Sequence, residues 1–300
     1  MRKYSVGGIT LPSAPISIGA GVCKTPQTTR EWLTVAPVVS GSYTPERRDG
    51  NKGDRLFYPD TEEQLQTVGF GLNSFGMPNM GFAAAARELA GHNGEQPLAV
   101  SLAGFSTADY VNGVEKFAVV EDVVAIELNF GCPNTEHGKI MSFDPNSLDT
   151  LFRSLGKFIG RPIWVKFSPY SDPGMLKEVA SIVNSAVSIV KAVVTCNTFP
   201  SAYAGRKAIS PMGGLAGLSG PALKPIAIGQ VIQFRQHLVP EIDVIGIGGV
   251  TVGNDVVDFL DAGAQAVQMT SLPFWLGSPG RLWKTLLDQN TGNRLETYLN

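Results

Sequence analysis

A thiol stands between two carboxamides in Glu127-Leu128-Asn129-Phe130-Gly131-Cys132-Pro133-Asn134. A cysteine can act as nucleophile or general base, and Asn129 and Asn134 can each donate and accept, which suits a ligand with imide or amide edges. The apolar run 123–128 reads as a buried strand that Gly131 and Pro133 stop, so Cys132 falls just past a C-terminal strand end. A lone cysteine is more often a small buried hydrophobe. The asparagine pair and the strand-end placement favour the chemical reading.

Other polar residues fall at similar places. Asn73 lies in the turn-rich segment 71–79, which also holds Asn79. Lys166 sits in Trp164-Val165-Lys166-Phe167, where alternation turns it away from Val165 and Phe167. A cation there either reaches solvent or holds negative charge on a reduced cofactor. Cys196-Asn197-Thr198 closes another apolar run. Gly248-Gly249-Val250 and Thr270-Ser271 end two more; the glycines read either as a simple turn or, with the hydroxyls, as a phosphate cradle. Of His92, His137 and His237 only His137 is near Cys132, in a loop, which favours general base over nucleophile for the thiol. An unperturbed thiol near pKa ~8.5 needs help to ionise at neutral pH. No His, Cys or carboxylate spacing suggests a metal site.

The elements that must position these groups follow a single rhythm. Strands are expected at 16–22, 36–43, 97–104, 123–128, 162–168, 190–197, 242–249 and 266–271. Helices are expected at 25–35, 81–92, 107–117, 145–159, 172–186, 222–238, 254–262 and 281–289, the first with Thr25 as N-cap and Pro26 at its first position. A long polar excursion, 44–60, carries Arg47, Arg48, Lys52 and Arg55. Eight strands alternating with helices, with right-handed crossovers expected, predict a (β/α)8 TIM barrel spanning residues 1–300 as a single domain. The competing doubly wound sheet would show a Gly-rich fingerprint after its first strand, which Gly19-Ala20-Gly21 does not complete. In the barrel, Asn129, Cys132, Asn134, Lys166 and Asn197 converge at one mouth.

Composition narrows the function. The chain has 300 residues, is 43% hydrophobic and 17% charged, and has a net charge of −2, which gives no electrostatic reason to expect nucleic acid or an anionic membrane. Three cysteines without a CxxC pair read as reduced thiols of a cytoplasmic protein. The polar start, Met1-Arg2-Lys3-Tyr4, is unlike a signal peptide, and no apolar stretch approaches a membrane span.

Taken together the motifs resemble the class 1 dihydroorotate dehydrogenases, the soluble FMN-dependent (β/α)8 barrels of pyrimidine biosynthesis. Asn73-Ser74-Phe75-Gly76-Met77-Pro78-Asn79 is similar to the family's Asn-Ser-Xaa-Gly-Xaa-Pro-Asn loop. Residues 129–134 are similar to Asn-Xaa-Ser-Cys-Pro-Asn, with Gly131 in place of Ser. Residues 218–225 and 246–249 match as well. The resemblance implies that Cys132 is the catalytic base, removing a ring proton while a hydride passes to the flavin. It implies that Asn73, Asn129, Asn134, Asn197 and Thr198 bind a dihydropyrimidine, with backbone contacts from Gly76 and Met77. It implies FMN contacts from Ala20, Gly21, Ser40, Gly41, Asn129, Lys166, Cys196 and Gly217, and a phosphate site at Gly248, Gly249, Thr270 and Ser271. A homodimer follows by analogy only.

The chain departs from the family at one point. The family's lysine at the end of strand two falls on Gly41, between Ser40 and Ser42, when the register is anchored on Arg48-Asp49-Gly50-Asn51. Lys24, Arg47 or Arg48 would then have to supply the cation. Two further readings stand beside the first. One is a tRNA dihydrouridine synthase-like flavoenzyme, which the motif 129–133 also resembles. The other is an FMN-binding homologue that lost activity with its lysine.

Overall fold

The computed structural model describes residues 3–58, 69–92, 94, 96–131, 140–156, 160–203, 209–288 and 294–299. Its centre is a closed parallel barrel of eight strands: β3 (Ile16–Ile18), β4 (Val38–Tyr43), β7 (Leu98–Leu102), β8 (Val123–Asn129), β9 (Ile163–Lys166), β10 (Val190–Thr195), β13 (Asp243–Ile247) and β14 (Ala266–Met269). These are the eight expected strands in the expected order; β8 runs one residue beyond its expected end, and the others are shorter than expected at one or both ends. Helices α1 (Pro26–Trp32), α2 (Phe82–Leu89), α3 (Thr107–Ala118), α4 (Pro145–Leu155), α5 (Pro173–Ser185), α6 (Lys224–His237) and α7 (Gly253–Asp261) lie between them. Thr25 caps α1 as expected, exchanging hydrogen bonds with Thr28. Two short helices, α8 (Ser271–Leu276) and α9 (Leu282–Leu286), follow the last strand.

Strand alternation sorts each side chain. On β8, Ile126 and Leu128 pack outward into the main apolar core beneath the helices, while Ala125 joins the interior cluster of Val39, Ala99, Trp164, Ala192, Val194, Ile245 and Ala266; Val123, before a register shift, also packs outward. Ala125, Glu127 and Asn129 share that inward face, so the interior runs from apolar to polar along the strand.

Two features are additions to the expected barrel. The hairpin of β1 (Tyr4–Val6) and β2 (Ile9–Leu11) turns at Gly7-Gly8 and plugs the N-terminal end. Val6 and Leu11 join the interior cluster, and the Trp164 indole donates to the Gly7 carbonyl at 2.8 Å. The second addition is an antiparallel sheet in the order β11 (Phe199–Tyr203), β12 (Leu215–Ser219), β6 (Gly71–Asn73), β5 (Leu56–Phe57). It occupies segments expected as loops. One barrel end is thus stoppered, and the other carries extra structure around an opening.

Candidate functional site

A cavity of about 1160 Å³, its open mouth included, lies at the C-terminal ends of the barrel strands. Ala20, Gly21, Asn73, Gly76, Met77, Asn129, Lys166, Cys196, Asn197, Thr198, Gly248, Gly249, Thr270 and Ser271, all singled out from sequence, line it. Lys24, one of the three candidates for the missing cation, lines it too, and Ser42, Tyr58, Phe75, Gln268 and Phe274 line it without having been among the expected site residues.

The amides form an ordered chain. Asn129 Nδ2 donates to Ser42 Oγ at 2.9 Å, and Asn129 Oδ1 accepts from Asn197 Nδ2 at 3.0 Å and from the Gly131 N–H at 3.2 Å. Asn197 Oδ1 accepts from the Thr198 N–H at 2.8 Å. Behind this chain the Tyr110 hydroxyl donates to the Asn129 carbonyl at 2.8 Å, and its ring packs edge-on against Phe130. Each carboxamide orientation is therefore fixed by a partner that could not accept the flipped amide equally well.

Beneath the amides is a buried ion pair. Lys166 Nζ lies 3.7 Å from Glu127 Oε1, with the lysine 4% and the glutamate 0% exposed. Gln268 Nε2 donates to Glu127 Oε2 at 3.0 Å. Among the described residues Glu127 Oε1 and Gln268 Oε1 find no hydrogen-bond donor. A cation held here between strands offers positive charge to the cavity floor at low dielectric.

The opposite wall is backbone and hydroxyls. Gly249 has φ +79°, and a Cβ there would stand 2.7 Å from Lys224 Cβ and 2.8 Å from the Gly220 carbonyl, so only glycine fits. The following turn is rigid: Asp255 accepts from the Thr251 and Val252 N–H groups at 2.7 and 3.0 Å, and Lys224 binds Asp255 and Asp258. Tyr58 crosses to this wall, its hydroxyl donating to the Ser271 carbonyl at 3.2 Å.

The loop carrying Gly76 and Met77 is held from outside the cavity. Asn79 Oδ1 accepts from the Thr44 and Gly81 N–H groups, and its Nδ2 donates to Thr44 Oγ1 and the Met77 carbonyl. Arg48 Nε donates to the Gly76 carbonyl at 3.3 Å. Asn79 is thus a brace for the loop.

Three expected contacts need correction. Ser40 faces the helices: its hydroxyl donates to the Cys23 carbonyl at 2.9 Å and lies 2.7 Å from the Tyr43 hydroxyl, fully buried. Gly41 does not reach the lining, because its N–H binds the Cys23 carbonyl and its carbonyl binds the Gly21 N–H, both at 2.8 Å. The pairing of β4 with β7 shifts register between Gly41 and Tyr43, which turns Ser42 into the cavity instead. Gly217 does not reach the lining: it pairs with Asn73 in the outer sheet, and its carbonyl accepts from Asn73 Nδ2 at 3.5 Å.

Cys132 and Asn134 lie outside the described residues, as does His137. The flanks of that segment are fixed. Ser142 N–H donates to the Phe130 carbonyl, Ser142 Oγ accepts from the Ser168 N–H at 2.9 Å, and the Tyr170 hydroxyl donates to the Ser142 carbonyl at 2.7 Å. Gly131, next to Cys132, packs against Asn197. The chain thus reaches the thiol position from the amide wall. Cys196, which lines the cavity, is buried, and desolvation pushes it up to about 12 despite the nearby Lys166.

The dihydroorotate dehydrogenase family model matches residues 1–278. The chain belongs to the dihydroorotate dehydrogenase family. It is 33% identical over 284 residues to dihydroorotate dehydrogenase A (fumarate) of Limosilactobacillus reuteri, covering 89% of this chain and 85% of that one. It is 34% identical over 246 residues to the catalytic subunit of dihydroorotate dehydrogenase B (NAD(+)) of Listeria welshimeri, covering 79% and 75%. The crystal structure of DHODH from Eimeria tenella in complex with ferulenol superimposes with TM-score 0.77 at 17% identity, over 99% of this chain and 87% of that one, and so shares the fold.

In this chain glycine at 131, where the family motif it resembles has Ser, has a local reason. A Cβ there would stand 2.7 Å from Asn197 Cβ and 2.9 Å from the Ser168 nitrogen. Gly131→Ser is expected to lower the unfolding free energy by about 1–3 kcal/mol in urea denaturation. An unchanged midpoint would show that the Asn197 wall yields without cost.

Proposed function

We propose that this chain is an FMN-dependent oxidoreductase of residues 1–300 acting as a single domain, which oxidises dihydroorotate, or a close dihydropyrimidine, to orotate. The observation that carries the reading is one cavity in which a fixed carboxamide wall faces a glycine and hydroxyl wall across a buried lysine.

The donor set fits FMN. Gly248, Gly249, Thr270 and Ser271 would hold its phosphate through backbone N–H groups and hydroxyls, with Ala20 and Gly21 along its edge. Lys166 would place its charge where the reduced ring carries negative charge. The two carbonyl-type oxygens without a hydrogen bond, on Glu127 and Gln268, leave acceptor capacity at the same floor. When bound, FMN supplies the acceptor for a hydride.

The protein's own groups do the remainder. Asn73, Asn129 and Asn197, with Asn134, would present paired donors and acceptors to the imide and amide edges of the substrate ring, with Gly76, Met77 and Thr198 adding contacts. Cys132, as thiolate, would take one proton from ring carbon, which leaves the substrate two hydrogens poorer once the hydride has gone. Cys196 is unsuited to that role, since a base working at neutral pH needs a pKa near the operating pH.

Among the described residues no helix is long and apolar enough to cross a membrane. We place the protein in the cytoplasm, with reduced thiols, as a homodimer without nucleic-acid partners. Heat-released cofactor from the purified protein should chromatograph as FMN at one per chain, and turnover of dihydroorotate should yield orotate by its ultraviolet spectrum. A colourless protein with no affinity for added FMN would remove the reading.

A further inference from the structure

We propose that Lys24 is the specificity-determining cation of the cavity and takes the carboxylate of the substrate, in place of the strand-two lysine that the family resemblance leads one to expect at Gly41. The inference rests on the reading of the cavity as a dihydropyrimidine carboxylate site.

Position 41 cannot carry a side chain in this backbone. Its φ is +115°, and a Cβ would stand 2.6 Å from the Ser101 carbonyl and 3.0 Å from the Tyr43 nitrogen. The chain that docks onto Gly41 brings the cation instead. The Cys23 carbonyl accepts from both the Gly41 N–H at 2.8 Å and Ser40 Oγ at 2.9 Å, so Lys24 leaves the backbone directly beside the strand position that lost its lysine. Lys24 is half-buried and lines the cavity together with Ser42, Phe75, Gly76 and Met77. Its ammonium stands 4.8 Å from the Phe75 ring centroid, which holds the charge over the substrate loop.

The other candidates are placed elsewhere. Arg47 is exposed and pairs with Asp49 at 3.1 Å. Arg48 braces Gly76 and stacks 5.2 Å from the Phe105 ring, and neither arginine lines the cavity. Lys166 lines the floor but is committed to Glu127. Among the described residues that line the cavity the ionisable groups are Lys24, Lys166, Tyr58 and Cys196.

The test compares orotate with its neutral carboxamide analogue, each titrated into FMN-loaded wild type, Lys24→Met and Arg47→Ala by the perturbation of the visible flavin spectrum. Loss of one charge-assisted contact predicts that Lys24→Met weakens orotate on the order of 10- to 100-fold while the carboxamide changes less than about threefold. Arg47→Ala should bind both as wild type does. If wild type binds orotate and Lys24→Met binds it equally well, Lys24 is not the carboxylate partner and the dihydroorotate reading survives. Equal loss of both ligands in Lys24→Met would reduce Lys24 to a structural role and overturn the proposal. If wild type binds neither ligand, the site reading itself fails first.

Discussion

Replacing Cys132 with alanine is expected to slow anaerobic reduction of the bound flavin by dihydroorotate about 10²- to 10⁴-fold, the usual contribution of a positioned general base. Orotate affinity and FMN content should be unchanged, because the carboxamides and the glycine wall do the binding. Cys132→Ser should fall between alanine and wild type and lose the rise in rate with pH that titration of a thiol produces. Cys196 cannot take over: burial pushes it up to about 12, and Cys23, also buried, is raised to about 12 by burial and by Glu31. Rapid-mixing reduction rates across pH decide the matter. A Cys132→Ala enzyme within about threefold of wild type would show that the proton leaves by another route.

The second large effect belongs to Lys166. It is 4% exposed and faces a fully buried Glu127 across 3.7 Å. Among the described residues Lys166→Met would leave that carboxylate with Gln268 as its remaining partner, and removing one member of a buried pair costs about 3–5 kcal/mol. Denaturant midpoints of the FMN-free proteins should show this loss. The double variant Lys166→Met/Glu127→Gln should recover most of it, since a neutral amide needs no counter-charge, yet should not recover tight FMN binding. Stability that fails to return in the double variant would mean that the lysine stem, and not its charge, supports the barrel.

Much of this architecture is legible in the chain because its repeating unit is long. Strands such as 123–129 declare themselves by an apolar run and a stop, and strand ends then place Asn129, Lys166 and Asn197 at one mouth. Shorter units escape notice. The hairpin 4–11 has strands of three residues, too brief for periodicity to show, although Gly7-Gly8 between two alternating triplets was a usable two-residue turn signal. The outer sheet joins Asn73 to Gly217, a pairing between segments distant in sequence that local pattern does not reveal. Glu127 was hidden inside the apolar run before the thiol motif. Its spacing of two from Asn129 and Ala125 carries the information that it points inward. Ser42 depends on a register shift at Gly41, for which no residue type on β4 is diagnostic.

Gly41 is enforced by Ser101 and Tyr43, and the segment after β3 docks on it through two backbone hydrogen bonds, from the Gly41 N–H to the Cys23 carbonyl and from the Gly21 N–H to the Gly41 carbonyl.

The most direct test of the account is an anaerobic titration of the purified yellow protein with dihydroorotate, followed through the visible flavin absorbance. The account predicts complete bleaching near one equivalent per bound FMN, with orotate as the product. A flavin that stays oxidised under excess dihydroorotate would contradict it.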